Sequence, residues 1–360
     1  MPVVLITGSA GLVGSAAVAF FARKGWEVIG LDNDERQRFF GPAASTRTTR
    51  AALSAQFPRY AHNDLDIRDE RGVHNLFATH GKDIDLIIHA AAQPSHDWAA
   101  GAPLIDFQIN AAATLYLLEM ARQHCPDAVF IYVSTNKVYG DAANHLPLIE
   151  RPTRWEVDPA HAYAAHGIDE RMPIDSTMHS LMGCSKLAAD ILVQEYGRYF
   201  GMRTGCFRCG CITGGDHAAV EQHGFLAYVM RCAVNKQRYN IHGYQGKQVR
   251  DNIHADDLVA AFEAFYVNPK MGAVYNMGGG RHSNCSVLEA VDLCERASGN
   301  KLTVVYSDAP RRGDHIWWIS DVSKFRRDYP SWEYRYDLDA VVASVYAGIY
   351  RTAAGEAPPP

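Results

Sequence analysis

The sequence has little of what several protein classes require. It contains no apolar run long enough to span a bilayer, and its net charge of −5 gives no basic excess for a general nucleic-acid surface. Eight cysteines in 360 residues are too few for a disulfide scaffold, and their spacing offers no second ligand pair for zinc. The chain enters a short apolar segment without the basic region of a signal peptide. These absences predict a cytoplasmic protein with no metal site, no nucleic-acid partner and no membrane partner.

The chain does have alternating strand-like and helical segments. Apolar residues make up 48% of the sequence, which is enough for a sizeable core. Short continuous apolar runs such as "VVLIT" and "AVFIYVST" predict strands that are buried on both faces. We therefore predict an α/β fold, a Rossmann-like doubly wound parallel sheet with a smaller C-terminal α/β substrate-binding lobe. The expected divisions are 1–205 for the sheet domain with an insertion at 144–181, 206–350 for an interleaved lobe, and a flexible tail at 351–360.

The first strand leads into a glycine-rich turn typical of dinucleotide binding. In "GSAGLVG", Gly8 permits the tight turn, Gly11 lets the backbone approach a pyrophosphate, and Gly14 allows close helix packing. The helix N-terminus then offers free N–H groups to phosphates. Asp32 follows about 20 residues later, where a carboxylate accepts the ribose hydroxyls and would repel a 2′-phosphate. The pattern predicts NAD rather than NADP.

Ligands of a doubly wound sheet collect where its strands end. The sequence places Gly8, Asp32, Ala90 and Thr135 at these carboxyl ends. The segment "DLDIRD" (64–69) could reach an adenine edge, with Asp66 and Ile67 as candidates, or it could be an ordinary charged loop.

Several motifs in order resemble a known family. They are "GSAGLVG", "HAAAQ" (89–93), "STNKVYG" (134–140), "SK" (185–186), "QVRDNIHADD" (248–257), "YNMGGG" (275–280) and "RRGD" (311–314). Together they resemble the extended short-chain dehydrogenase/reductases that act on nucleotide-diphosphate sugars. "STNKVYGD", "GCSKLAAD" and "TGGD" (213–216) look most like the CDP-tyvelose (CDP-paratose) 2-epimerases of that family.

The resemblance implies a set of contacts for each ligand. For NAD the expected residues are Gly8, Gly11, Leu12, Val13, Gly14, Asp32, Asn33, Asp66, Ile67, Ala90, Ala91, Ala92, Asn110 and Lys186. For the sugar nucleotide, a CDP- or UDP-hexose, they are Gln93, Ser95, His96, Asn136, Arg208, Arg250, Arg311 (or Arg312) and Asp314. Arginine suits a diphosphate because its planar fork binds oxygens bidentately. The family also pairs helices near 105–124 and 183–200, which implies a homodimer.

The resemblance also implies a catalytic group in which one member is altered. Thr135 would hydrogen-bond the reacting sugar oxygen, and Lys186 would bind the nicotinamide ribose. The family's Tyr, four residues before that Lys, is replaced by Met182, whose thioether cannot act as a base.

Three accounts of Met182 are open. Another group could move the proton: Lys186 itself, or an acid or imidazole of the insertion, which holds His161, Tyr163, His166, Asp169, Glu170, Asp175 and His179. The chemistry could instead be a dehydration, since some related dehydratases resemble this chain in carrying Met. The protein could also bind NAD without turnover.

The pair that follows Thr135 favours one reaction over the other. The dehydratases carry Asp and Glu there, which eliminate water, whereas this chain has Asn136 and Lys137. The resemblance therefore implies an epimerase that oxidises a sugar carbon transiently and returns hydride to the opposite face.

Overall fold

The central sheet has seven parallel strands, in the order β12-β8-β5-β4-β1-β2-β3. A computed structural model describes residues 1–215, 217–311 and 313–354 of the chain. The sheet strands are β1 (Val3–Thr7), β2 (Glu27–Leu31), β3 (Tyr60–Asn63), β4 (Ile84–His89), β5 (Val129–Thr135), β8 (Arg203–Cys209) and β12 (Ala273–Met277). The predicted doubly wound sheet is confirmed.

The sheet is covered on both faces because its strands are apolar at successive positions. Val4 and Ile6 of β1 pack into one buried cluster and Leu5 packs into another on the opposite face. The helices are α1 (Leu12–Arg23), α2 (Glu35–Phe40), α3 (Arg47–Gln56), α4 (Glu70–His80), α5 (His96–Gly101), α6 (Pro103–Phe107), α7 (Ala113–His124), α8 (Leu181–Phe200), α9 (Phe225–Val234), α10 (Ala255–Val267), α11 (Val287–Ser298), α12 (Ser323–Asp328) and α13 (Leu338–Ala354). A π-helical turn, Gln108–Ala112, joins α6 to α7.

The strand order reverses beside β1. β2 and β3 continue to one side of β1, whereas β4 pairs with its other side. The loops that follow β1 and β4 therefore run in opposite directions and leave a crevice between them at the carboxyl edge. Ligands usually bind at this position in such sheets. Every predicted strand-end residue lies at this edge.

A smaller lobe stands over that edge. Its strands are β9 (Cys211–Thr213), β10 (Tyr239–His242), β11 (Val249–His254), β13 (Asn284–Ser286), β14 (Val304–Ser307) and β15 (Trp317–Trp318). β11 pairs with β9, β13 and β15, while α9, α11 and α13 share a separate buried cluster. β8 crosses the predicted boundary at 205 and β12 returns to the central sheet, so the lobe and sheet alternate along the chain.

The insertion folds against this lobe. It contains a short hairpin of β6 (Leu148–Glu150) and β7 (Trp155–Val157). Ile168 is buried, donates its N–H to the carbonyl of Ile319 over 2.7 Å, and forms a bridge with Ser320. Helix α13 runs to Ala354, so it enters the predicted tail, whose residues 355–360 lie outside the described part. No helix in the described ranges is both long and apolar enough to cross a membrane.

Candidate active site

The glycine turn after β1 brings backbone segments into close contact. Gly8 has φ +67°, and a Cβ there would lie 2.8 Å from the nitrogen of Ala91. A Cβ on Gly14 would lie 2.0 Å from the carbonyl oxygen of Gly8, so any side chain would push α1 away from β1. Gly11 caps α1 without a side-chain hydrogen bond. The first N–H groups of α1 therefore face the crevice, where the positive helix end favours phosphate.

Asp32 is fixed at the end of β2 by three hydrogen bonds. Oδ2 accepts from the N–H of Ala10 over 3.1 Å, and Oδ1 accepts from the N–H of Asp34 over 2.9 Å and from Oγ1 of Thr46 over 3.1 Å. Arg36 also lines the cavity, and burial lowers its pKa to about 10 against the opposing charge of Asp32. A carboxylate held in this way can accept further hydrogen bonds from ribose hydroxyls.

Asp66 forms a second carboxylate at this end of the cavity. It accepts from Nδ2 of Asn33 over 2.9 Å and pairs with Arg68 over 2.5 Å. Although burial opposes the change, the hydrogen bonds from Arg68 lower the pKa of Asp66 below its usual value. Asp66 therefore stays ionised beside Ile67, and both residues line the cavity.

One cavity of about 490 Å³ connects these groups to the smaller lobe. It begins at the glycine turn, passes Thr135 and reaches Arg250. The donor set fits NAD, with phosphates at the N-terminus of α1 and ribose hydroxyls at Asp32. The predicted cofactor residues that line it are Gly8, Gly11, Leu12, Val13, Gly14, Asp32, Asn33, Asp66, Ile67, Ala90, Ala91, Ala92 and Lys186.

Thr135 and Lys186 both lie near the carboxyl end of β5. Oγ1 of Thr135 accepts from the N–H of Lys137 over 3.2 Å. Nζ of Lys186 donates to the carbonyl of Val133 over 2.8 Å and lies 4.2 Å from the ring centre of Tyr132. Burial lowers the pKa of Lys186 to about 8. Both side chains line the cavity, as the resemblance implied.

Met182 lines the same cavity one helical turn before Lys186 and is 5% exposed. The start of its helix is held by Ser180, whose Oγ accepts from the N–H of Gly183 over 3.0 Å. The same Oγ hydrogen-bonds Nδ1 of His96 over 2.6 Å. Burial and the charge of Lys137 lower the pKa of His96 to about 4, so its imidazole is neutral near pH 7. Met182 itself contributes to the wall of the cavity, but its thioether has no proton to donate.

Lys137 is a functional candidate that the motif reasoning passed over. It lines the cavity two residues after Thr135, and its Nζ donates to the carbonyl of Gly313 over 2.9 Å and contacts Nδ1 of His315 over 3.3 Å. Burial, followed by the charge of Arg250, lowers its pKa to about 8. The available signal was its position in "STNK", directly after the strand end.

The smaller lobe supplies paired charges at the far end of the cavity. Arg250, from β11, forms an ion pair with Asp314. Although burial opposes the change, Arg250 and Lys137 lower the pKa of Asp314 below its usual value. Arg311 donates to the carbonyl of Glu221 over 2.7 Å. Gln93, His96 and Asn136 line the same cavity, so six predicted substrate residues are brought together there. The alternative Arg312 lies outside the described residues.

Arg208 corrects one prediction. Its guanidinium pairs with the buried carboxylate of Asp190 over 2.7 Å and donates to the hydroxyl of Tyr139 over 2.9 Å. These contacts connect β8 to α8 beneath the site, and Arg208 does not line the cavity. In this structure the Arg208 guanidinium is therefore used in a buried ion pair, away from the cavity lining.

Three further predicted residues also lie away from the cavity. Ser95 caps α5 by accepting from the N–H of Trp98 over 3.2 Å. Asn110 is buried, where Oδ1 accepts from the N–H of Gln93 and Nδ2 donates to its carbonyl, both over 2.9 Å. Nε2 of His179 lies 2.8 Å from the carbonyl of Val138. Each of these side chains contacts backbone and is absent from the cavity lining, which does not favour the expected roles.

The titratable residues of the insertion lie outside the cavity lining. Glu170 accepts from the N–H of Asn276, a residue of β12, over 2.7 Å. Burial raises the pKa of Glu170 above its usual value. Of the residues described, the cavity lining includes none of the insertion's titratable candidates, namely His161, Tyr163, His166, Asp169, Glu170, Asp175 and His179.

This fold and site define an NAD-dependent enzyme class, and the chain belongs to the NAD dependent epimerase/dehydratase family. The family model matches residues 4–278. The predicted family, fold and cofactor are thereby confirmed.

Within the family, the chain is similar to enzymes of two reaction types. It is 32% identical over 329 residues to the CDP-paratose 2-epimerase of Salmonella typhi, covering 89% of this chain and 91% of that protein. It is 26% identical over 351 residues to the dTDP-glucose 4,6-dehydratase of Haemophilus influenzae, covering 93% and 89%. Among solved structures, it resembles the UDP-glucose 4-epimerase of Thermus thermophilus in complex with NAD, with a TM-score of 0.77, 21% identity, and coverage of 97% and 99%.

Proposed function

We propose that this chain is an NAD-dependent nucleotide-sugar epimerase that inverts a ring carbon, C2 by its similarity to the CDP-paratose enzyme. The observation that carries the proposal is the pair beside Thr135. Asn136 and Lys137 line the cavity where a dehydratase of this family needs two acids. The Asn136 amide does not ionise near neutral pH, and Lys137 is a single amine, so the two positions do not supply the two carboxyl acids of the dehydratases.

Different side chains along the cavity have different proposed roles. Bound NAD would supply the hydride acceptor and donor. Thr135 can hydrogen-bond the reacting sugar oxygen through Oγ1, and Lys186, which lines the same cavity, can hold the nicotinamide ribose. Arg250 and Arg311 can bind the diphosphate of the substrate. Because the cofactor is regenerated in each cycle, it does not need to be exchanged. The close approach that the glycine turn allows would then help to keep it bound.

The remaining acids of the cavity argue against elimination of water. Asp32, Asp66 and Glu35 lie at the cofactor end and are already hydrogen-bonded. Near the substrate-binding arginines, Asp314 is paired with Arg250, and Glu221 is paired with Arg311 and accepts from Asn240. A dehydration needs an acid that protonates the leaving hydroxyl. These carboxylates are committed to other partners, so the epimerase is favoured.

The reaction type can be tested in deuterated water. We expect the NAD-loaded protein to convert CDP-paratose into its C2 epimer with no deuterium on carbon, because the same hydride returns. A dehydratase would release water and leave deuterium on a carbon of the product. Failure to convert CDP-paratose or UDP-glucose, with NAD still bound, would favour the non-catalytic account.

A homodimer and a cytoplasmic location remain predictions. Support for the dimer comes from apolar side chains exposed on α6, α7 and α8. They are Leu104, Phe107, Leu115, Leu181, Ile191, Tyr199 and Phe200. Patches of this kind mark protein–protein contacts. The eight cysteines are free thiols, which suits a reducing compartment.

A further inference from the structure

We infer that Lys137 is the catalytic base that takes the place of the missing tyrosine, receiving the hydroxyl proton of the sugar carbinol and returning it when the carbonyl is reduced. This inference rests on the proposed function. Its first support is position. Lys137 starts the 3-10 turn Asn136–Tyr139 directly after β5, so it shares the strand end that carries Thr135.

The hydrogen bonds of Lys137 orient its amine. Nε2 of His315 lies 2.8 Å from the carbonyl of Gly140, which requires the N–H to be on Nε2. Nδ1 of the neutral ring is then an acceptor for Nζ of Lys137. With the carbonyl of Gly313 as the second acceptor, both hydrogens of a neutral amine are used. The remaining lone pair is free to accept a proton from a ligand in the cavity.

The surroundings allow the amine to be neutral at working pH. Burial and the nearby charge of Arg250 lower the pKa of Lys137 to about 8, while Asp314 and Cys211 oppose the shift. About a tenth of the amine is then unprotonated at pH 7. The charged and titratable groups that face Lys137 are Arg250, Cys211, Asp314, His315 and His96.

Lys186 is less suited to this task. It also has a pKa lowered to about 8, but its ammonium lies over the Tyr132 ring and donates to Val133. These contacts direct the Lys186 amine toward the backbone and ring of β5. Lys137 instead contacts the Gly313–Asp314 segment, where the substrate-binding arginines converge.

The proposed step balances without any further reagent. The O–H bond of the carbinol breaks, its proton passes to Nζ of Lys137, and its electron pair forms the carbonyl as the carbon loses hydride to the cofactor. The sugar is oxidised and the cofactor is reduced. On return of hydride to the opposite face, the Lys137 ammonium protonates the oxygen, which restores both groups.

The test compares Lys137→Arg and Lys137→Met with a matched control, Lys82→Met, in which an exposed lysine outside the cavity is changed. We expect kcat for CDP-paratose to fall at least about 100-fold in both Lys137 variants and to be unchanged in the control. Binding of CDP, measured by calorimetry, should stay within about threefold in Lys137→Arg, which keeps the charge. Thermal unfolding of each variant establishes that it is folded.

The pH profile separates a base from a structural cation. In the unaltered protein, kcat/KM should rise with pH and level off above about 8, because the neutral amine is the active form. The residual kcat/KM of Lys137→Arg should not show this rise with pH. Two results would overturn the inference while leaving the proposed epimerase function standing. One is that kcat/KM of Lys137→Arg still rises with pH up to about 8, and the other is that its kcat is within about tenfold of that of the unaltered protein. Inactivity of the unaltered protein on CDP-paratose and UDP-glucose would overturn the proposed function as well.

Discussion

At the scale of single residues, the cavity separates side chains that can move a proton from those that cannot. Lys137 and Lys186 have a lowered pKa of about 8, whereas Met182 has no titratable proton. Thr135 stands between these classes, since its hydroxyl can hydrogen-bond a sugar oxygen but does not ionise. The cavity therefore still holds a group that can move a proton although Met182 replaces the tyrosine, because the Lys137 amine also lines it.

Thr135→Val is expected to lower kcat/KM about 10- to 100-fold, because a hydrogen bond to the charge that develops on the sugar oxygen is lost. Thr135→Ser keeps the hydroxyl and should retain most activity. Both variants are compared by steady-state kinetics with CDP-paratose. Valine also removes the acceptor for the N–H of Lys137, which should cost about 1 kcal/mol of stability. Equal activity of the two variants would contradict the role of the hydroxyl.

Residues near the cofactor were the most predictable from sequence. The positions of Gly8 and Gly14 need a residue without a side chain, and the position of Asp32 needs a carboxylate. Because few residue types satisfy these needs, the spacing of the three residues predicts the turn and the ribose contact. Lys137 was missed because nothing in a linear sequence shows that Gly313, His315 and Arg250 would surround its amine. Burial and charge neighbours, which set a pKa, exist only after folding.

At the scale of elements, β8 and α8 are joined under the active site by one buried ion pair. Asp190 of α8 accepts from Nε and Nη2 of Arg208, and also from Oγ of Ser134 at the end of β5. The pair fixes the helix that carries Lys186 against the strands that end at the cavity. The sequence predicted each element but assigned Arg208 to the substrate, because a motif gives a position and not a side-chain direction.

Arg208→Met is expected to lower the free energy of unfolding by about 3–5 kcal/mol, since it leaves the Asp190 carboxylate buried without its partner. Denaturant unfolding measures this change. The double variant Arg208→Met/Asp190→Asn should recover part of the loss. For folded protein, KM for CDP-paratose should change little. A large rise in KM with normal stability would restore Arg208 as a substrate contact.

At the scale of the whole molecule, the sheet and the lobe close on one cavity, and neutral histidines are buried around it. His89, at the end of β4, has Nδ1 2.7 Å from Oγ1 of Thr7 and Nε2 2.9 Å from Oγ1 of Thr114. Burial, with the added charge of Lys186, lowers its pKa to about 3. The fold class was predictable from the alternating segments. The packing of the insertion against the lobe was not predictable, because the polar sequence of the insertion shows no clear helical or strand period.

His89 should make stability depend on pH. Between pH 6.5 and 3 the unfolded chain binds a proton at this histidine that the folded chain does not, so stability falls as pH falls below about 6.5. The expected slope is about 1.4 kcal/mol per pH unit for one such group. His89→Gln should reduce the slope between pH 6.5 and 5, measured by denaturant unfolding at each pH. Identical slopes for the two proteins would contradict a neutral buried imidazole.

The central claim is that one cavity brings a nicotinamide ring and a sugar carbon together beside Thr135 and Lys186. The most direct measurement follows CDP-paratose labelled with deuterium at C2 through turnover in ordinary water. The account predicts that the epimeric product keeps the deuterium at C2, because the hydride leaves and returns within the closed site. Loss of the label to water, with epimer formed, would contradict it.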